Sequence, residues 1–436
     1  MTTPIYQKPV ELLQNLIRFD TTNPPGNERA IIDYLKEIIE DAGLKTTILA
    51  KDENRPNLIT RLPGLGDAPP LLLYGHVDVV TTAGQKWVHP PFDALIEDDM
   101  LWGRGTLDMK GGIAMMVSSV LRAHASGKKL PGDIILAIVA DEEVGGDYGA
   151  RFLVDEHAEL FEGVRYAIGE GGGVTMQMGG KKFYTVMVAE KQICSMRATM
   201  RGPAGHGSMP RRGGAAAKLS QMLDKLEKGR LPVHITSVTE QMLSTIGASM
   251  SFPTSLGIKM LLNPTFTDRI LDALGEKGTL INPMLHNTVS PNIIRGGDKI
   301  NVIPAEISVE LDGRLLPQFA PDDMLTELKE LLGDDVELEV TQYDQGAGEP
   351  DMTLYPLLAD ILKKADPGGT PIPILLSGVT DGRFFSRIGI QTYGYLPMDI
   401  PSELIGTIHG ANERVPLAAM EFGTNAITEV LRRFGE

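Results

Sequence analysis

The sequence predicts an α/β protein: a domain built on a mostly parallel sheet, interrupted by an inserted α+β domain of ferredoxin-like strand order. Three observations carry this. In the first half, short apolar runs such as Leu71–Tyr74 and Ile134–Ala140 alternate with helical stretches, the pattern of parallel strands covered on both faces. From Glu190 to Arg201 the pattern becomes strict alternation, as in a strand with one exposed face. And 436 residues exceed what one compact core comfortably holds.

Taken in order, Val10, Leu13, Leu16 and Ile17 fall on one helical face. After a Thr-Thr-Asn-Pro-Pro-Gly loop, Asn27 is placed to cap a second helix. There Ile31, Tyr34, Leu35, Ile38 and Ile39 recur at helical spacing, and Gly43 stands where a C-terminal stop belongs. Strand-like runs follow at 44–49, 58–62 and 71–74, then a helix over 110–125 and strands at 134–140 and 164–168. Beyond residue 188 the order is strand, helix (214–228), strand (287–294), strand (305–314), helix (322–332), strand (336–342), a small antiparallel α+β unit. The stretch from about 232 to 283 is extra to that plan and reads as a partly helical insertion. Helices near 354–364 and 417–434 return to the α/β style. The expected domains are therefore 1–188 and 344–436, forming one body, with 189–343 inserted between them.

Composition removes several function classes. A formal charge of −16 opposes nucleic-acid and anionic-membrane partners. Met1 to Val10 holds no apolar signal core, and 134–140 is far too short to span a bilayer. One cysteine, Cys194, excludes an internal disulfide, fits a reducing cytoplasm and rules out thiolate metal sites.

The chemistry-bearing residues come after strand-like runs. His76 stands in Gly-His-Val-Asp, with Asp78 two residues on and able to take the other imidazole N–H. Asp108 lies in Gly-Arg-Gly-Thr-Leu-Asp-Met-Lys-Gly, where it could equally cap a helix. Glu142 and Glu143 are adjacent in Asp-Glu-Glu, so one can hold a metal while its neighbour serves as general base. Glu170 precedes three glycines, and His409 sits in a polar loop before the last helix. Ligands of parallel sheets gather outside the carboxyl ends of the strands, which places His76, Glu142, Glu143 and Glu170 at one edge. Two imidazoles and several carboxylates can hold two divalent cations with a carboxylate between them. The glycines near Asp108 match neither the dinucleotide nor the phosphate-loop spacing.

Together with Gly205-His206-Gly207-Ser208 and Asn301-Val302-Ile303-Pro304, these motifs resemble, in order and along the whole chain, the di-zinc amidohydrolase family. That family includes carboxypeptidase G, aminoacylase, carnosinase-type dipeptidases and succinyl-diaminopimelate desuccinylase. The resemblance implies that His76 and Glu170 hold one metal, Glu143 and His409 the other, and Asp108 bridges. It makes Glu142 the general base and Asp78 the residue that orients His76. It makes His206 an oxyanion-stabilising residue that reaches a partner subunit's site from a lid and dimerisation domain. Arg314, in Leu-Asp-Gly-Arg, would bind the substrate carboxylate with Asn301 nearby. Trp87 and Pro90-Pro91-Phe92 match a segment near the cleft. One departure is Ser377-Gly378-Val379-Thr380, where the family usually has more glycine before the threonine. His89, His124, His157, His234 and His286 match no motif.

The expected protein is thus a cytoplasmic, homodimeric metallopeptidase that cleaves an amide next to a free carboxylate in small peptides. It would use two divalent cations per subunit, zinc first, with cobalt or manganese acceptable. An N-acyl-amino-acid deacylase is the runner-up, and a non-catalytic binding protein is the rival from another class.

Overall fold

A computed structural model describes residues 3–435; Met1, Thr2 and Glu436, which belong to the expected first and last domain segments, lie outside it. Two compact units emerge: Met1–Val188 with Pro350–Ile374 and Thr380–Glu436, and Ala189–Glu349 with Leu375–Val379.

Unit 1 is organised by a nine-stranded sheet. At its centre Leu71–His76 lies parallel to both Ile134–Val139 and Tyr166–Gly169, and the latter lies parallel to Gln391–Gly394. Outside these four strands the pairing turns antiparallel: Asn57–Leu62 against Ile134–Val139 and Thr46–Leu49 on one flank, and Lys181–Glu190 against Gln391–Gly394 on the other. The sheet expected to be mostly parallel is thus a mixed one, with a parallel centre of four strands and antiparallel flanks. Every residue of Leu71–His76 and Ile134–Val139 is buried, as continuous apolar runs require of strands covered on both faces. The helices Lys110–Ala125 and Leu417–Arg433 pack against one another. The central strands run in one direction and His76 lies in register with Val139. The loops that leave these strands therefore emerge at the same edge.

One local expectation fails. The second helix begins at Arg29, its preceding residue is Glu28, and no side chain caps it. Asn27 therefore does not serve as the cap. Glu28 is fully buried and turned to Arg55, 2.8 Å away. Gly43 does end the helix, at φ +93 with its N–H on the Glu40 carbonyl.

Unit 2 contains a four-stranded antiparallel sheet in the order Thr288–Arg295, Glu306–Leu315, Gln192–Arg201, Glu337–Asp344. With helices Ala215–Lys228 and Pro321–Leu332 the chain order is strand-helix-strand-strand-helix-strand. Gln192–Arg201 alternates buried and half-buried residues up to its last, and its inward Cys194, Met196, Ala198 and Met200 form the core with Val309, Leu311 and Leu328. The expected limit at residue 343 falls inside the last strand. Within 232–283 the chain forms four helices, Ser237–Ala248, Thr254–Leu261, Pro264–Leu274 and Glu276–Ile281. Among the described residues, no helix is long and apolar enough to cross a membrane.

Candidate metal centre

Five segments of unit 1 bring their acidic and imidazole side chains to the sheet edge. His76 is the last residue of its strand and is 1 % exposed. The glycine before it lets the Met109 side chain pack close: a Cβ at Gly75 would lie 2.4 Å from the Met109 Cε, which would have to shift. Likewise a Cβ at Gly169, just before Glu170, would lie 2.2 Å from the Tyr74 ring. Both residues after these glycines face one point: His76 Nε2 is 3.2 Å from Asp108 Oδ1 and 3.7 Å from Glu170 Oε2.

The other Asp108 oxygen faces a second point. Oδ2 is 3.0 Å from His409 Nε2, which is 3.1 Å from Glu143 Oε2. Two groups result, His76–Asp108–Glu170 and Asp108–Glu143–His409, each with its ligand atoms within 4.8 Å of one another. Asp108 belongs to both. It does not cap the helix after it; the residue at that position is Met109, and no side chain caps there.

Asp78 contacts His76 in a way the sequence did not specify. His76 Nδ1 lies 3.0 Å from the Asp78 carbonyl oxygen and 3.4 Å from its carboxylate. That carboxylate also accepts the backbone N–H groups of Glu142 and Glu143, each at 3.2 Å, and an Asn23 amide hydrogen at 2.8 Å. One buried carboxylate therefore fixes His76 and the acidic loop together.

Electrostatics mark the same place. The Asp108 and Glu143 carboxylates raise the His409 pKa to about 10. His76 is raised well above its usual range, because the charge of Glu170 and bonds to Asp108 and Asp78 outweigh burial. The two imidazoles hold Asp108 low despite burial. Burial and the neighbouring Glu170 push Glu142 well above the usual carboxylate range. Glu142 belongs to neither ligand group, which leaves it available for proton transfer.

The donor set suits divalent cations: oxygen and imidazole only, with Asp108 oriented to bridge. Glu143 Oε1 is buried and makes no hydrogen bond, a costly state for a carboxylate oxygen that a cation would relieve.

Several contributors were not singled out in the sequence. Asp141 holds a left-handed backbone at φ 70; its carboxylate takes Arg55 at 2.8 Å and the Tyr148 N–H at 3.1 Å. Glu413, four residues after His409, is fully buried and accepts N–H groups from Leu107 and Asp108. Asp381, in the glycine-poor loop, is 1 % exposed with its pKa raised to about 7 by burial. The Trp87 ring is covered by the Arg104 guanidinium, 5.2 Å from its centroid, so that segment lies beside the Asp108 loop.

The remaining three candidates lie in unit 2. His206 is exposed, and its Nδ1 is 2.7 Å from the Ser208 hydroxyl. It pairs with Val302, and the Asn301 carbonyl accepts the Gly207 N–H, so His206 and Asn301 are neighbours. Arg314 is turned to Asp312, with Nε 2.7 Å from its carboxylate. It sits at the opposite end of the strand Glu306–Leu315 from the His206–Val302 pairing, since Glu306 pairs with Arg201 and Arg314 with Ile193. Four of the five unassigned histidines have carboxylate partners: His89 with Glu97, His157 with Glu159, His234 with Glu327 and His286 with Asp268.

Comparison with known proteins gives the class. The chain is 28 % identical over 373 residues, 83 % of its length and 71 % of the relative's, to "Probable carboxypeptidase S-like 2" of Dictyostelium discoideum. It is 27 % identical over 374 residues, 83 % of its length and 74 % of the relative's, to the Homo sapiens N-fatty-acyl-amino acid synthase/hydrolase PM20D1. Its fold matches a metallo-carboxypeptidase from Sulfolobus solfataricus with a TM-score of 0.69 at 17 % identity, covering 100 % of both chains. Residues 72–433 match Peptidase family M20/M25/M40, and this chain belongs to that family of metal-dependent peptidases and amidohydrolases.

Proposed function

We propose that the protein is a di-zinc hydrolase that cleaves an amide bond beside a free carboxylate in small peptides. The observation that carries this reading is the sharing of Asp108: its two oxygens face two separate ligand groups. His76 and Glu170 would hold one cation, Glu143 and His409 the other, and Asp108 both. When bound, the cations supply Lewis acidity and an activated water. Glu142 takes the proton of the attacking water and returns it to the leaving nitrogen. Burial beside Glu170 raises its pKa, which strengthens it as a base towards that water. Asp78 keeps His76 and the 142–143 loop in register throughout.

His206 is assigned to the developing oxyanion, with Asn301 beside it, and Arg314 to the substrate carboxylate, which its fork can grip with two hydrogen bonds. Eight residues of strand separate the Glu306 and Arg314 ends, roughly 26 Å. One copy of unit 2 therefore does not present His206 and Arg314 to a single scissile bond. This supports a homodimer in which His206 serves the partner's site. The buried Cys194 fits a reducing, cytoplasmic setting.

The N-acyl-amino-acid deacylase is kept as the second reading because the human relative is named an N-fatty-acyl-amino acid synthase/hydrolase. Purified protein assayed for metal per chain, then for cleavage of dipeptides and N-acyl amino acids with and without chelator, tests both. Two metals with chelator-sensitive cleavage supports the class, and the substrate ranking decides between the readings. A folded protein that takes up no zinc overturns the proposal.

A further inference from the structure

The two ligand groups are not equally supported. His76 is buried at a strand end, whereas the His409 side chain is 55 % exposed and its backbone sits at φ 59. A non-glycine residue in the left-handed region is strained and persists where the surroundings hold it. His409 is held by three residues that the mechanism does not use.

Gln85 donates from Nε2 to the His409 carbonyl at 2.8 Å, while its Oε1 accepts from Trp87 Nε1 and Arg104 Nη2 at 3.0 and 3.1 Å. Arg104, 1 % exposed, donates to the Gly410 carbonyl at 2.9 Å and to Glu413 at 2.5 Å. Glu413 completes the connection. Its two oxygens also accept the backbone N–H groups of Gly105 (3.0 Å), Leu107 (2.7 Å) and Asp108 (3.1 Å). The tie is reinforced by Asn412, whose Oδ1 accepts the Val88 N–H at 2.7 Å. Segments 85–88, 103–108 and 409–413 are thus bound into one piece, and two of them carry Asp108 and His409.

We propose that Gln85, Arg104 and Glu413 form a positioning clamp that sets the distance between Asp108 and His409, and so the affinity of the cation site these residues share with Glu143. None of the three belongs to either ligand group. Gln85 bonds the His409 carbonyl directly and reaches the Asp108 segment only through the Arg104 side chain, whereas Glu413 accepts the Asp108 N–H itself. The two should therefore differ in which cation they affect. The inference rests on the two-metal reading above.

The test is calorimetric titration of metal-free protein with Zn²⁺, alongside the visible spectrum of the Co²⁺-loaded form. Wild type should take two equivalents. Gln85→Ala should leave one affinity unchanged and weaken the other by about 10- to 100-fold, as loss of a partner behind a ligand typically does, with the metal-free melting temperature unaltered. The Co²⁺ spectrum should change for one ion only. Glu413→Gln should weaken both equivalents, because Asp108 serves both. Gln85 is half-exposed, so its truncation keeps the test usable if Glu413→Gln does not fold. Two equivalents at wild-type affinity and spectrum in Gln85→Ala would overturn the clamp while leaving the two-metal reading intact. A wild type that binds no metal would overturn both.

Discussion

Units 1 and 2 hold their chemistry in opposite ways. In unit 1, residues from five segments as far apart as His76 and His409 converge into two groups that share Asp108, each with its ligand atoms within 4.8 Å of one another. In unit 2, His206 and Asn301 lie at one end of a sheet and Arg314 at the other. A convergent set can bind something as small as an ion without help. A dispersed set can only act on something larger, or in combination with a second copy. Metal content and turnover should therefore separate under mutation according to unit.

The largest separation is expected between Asp108→Ala and His206→Ala. Asp108 belongs to both ligand groups, so its loss should drop metal content from two per chain to below one and reduce turnover to background. His206→Ala should keep both metals and lose about 10²- to 10³-fold in kcat, the usual cost of one oxyanion donor. Elemental analysis beside kinetics reads this directly, and metal loss in His206→Ala would break the contrast. Mixing His206→Ala with Glu142→Ala sharpens it. Each variant is inactive for a different reason, so exchange of subunits should restore activity in hybrid dimers. No recovery despite demonstrated exchange would return His206 to its own chain's site.

A smaller effect is expected for Arg314→Ala, which should raise KM for a substrate with a free carboxylate and keep both metals. Against an amidated version of the same substrate, wild type and variant should become equal. An enzyme indifferent to amidation would remove the carboxylate-binding role from Arg314.

Legibility in the sequence divides along the same line. The strands of unit 1 announced themselves because burial on both faces leaves continuous apolar runs, and the residues after them fell at one edge by direction alone. His76, Glu142, Glu143 and Glu170 needed no more than that. Asp108 was ambiguous because a loop aspartate before a helix has two common uses, and only the approach of His76 and His409 separates them. Glu413 and Arg104 were not legible. Their partners are backbone groups some 300 positions away in the chain, and a buried Arg–Glu pair has no local pattern. Asn27 looked like a cap by residue type, yet the helix starts two residues later because Glu28 is drawn to Arg55. In unit 2 the alternation of Gln192–Arg201 gave the strand order, but nothing in it placed Arg314 relative to His206. Register alone does that.

The finest test of the contrast concerns buried cations. Arg104 and Arg55 of unit 1 are each buried against a carboxylate, whereas Lys110 of the same unit donates to the Phe19 carbonyl at 2.7 Å and is lowered to about 7 by burial. Lys191 of unit 2 is 1 % exposed, and its Nζ donates to neutral acceptors, the His286 carbonyl at 2.8 Å and the Thr288 hydroxyl at 2.9 Å. Burial, with the charge of Arg314 adding to it, lowers its pKa from 10.5 to about 7. Between those two values the unfolded chain binds the proton that the folded protein has released. The protons bound by the unfolded state exceed those of the native state, so this lysine makes stability rise with pH across that window. Lys191→Met cannot titrate and should lack the rise. The difference between the variant and wild type, in which every other group cancels, should move in favour of wild type by up to about 1 kcal/mol per pH unit from pH 7 to 10. Denaturant unfolding at several pH values measures it. The acceptors left behind by the substitution shift the whole difference without changing its slope. A difference that stays flat with pH would mean that the ammonium keeps an ordinary pKa in the folded protein.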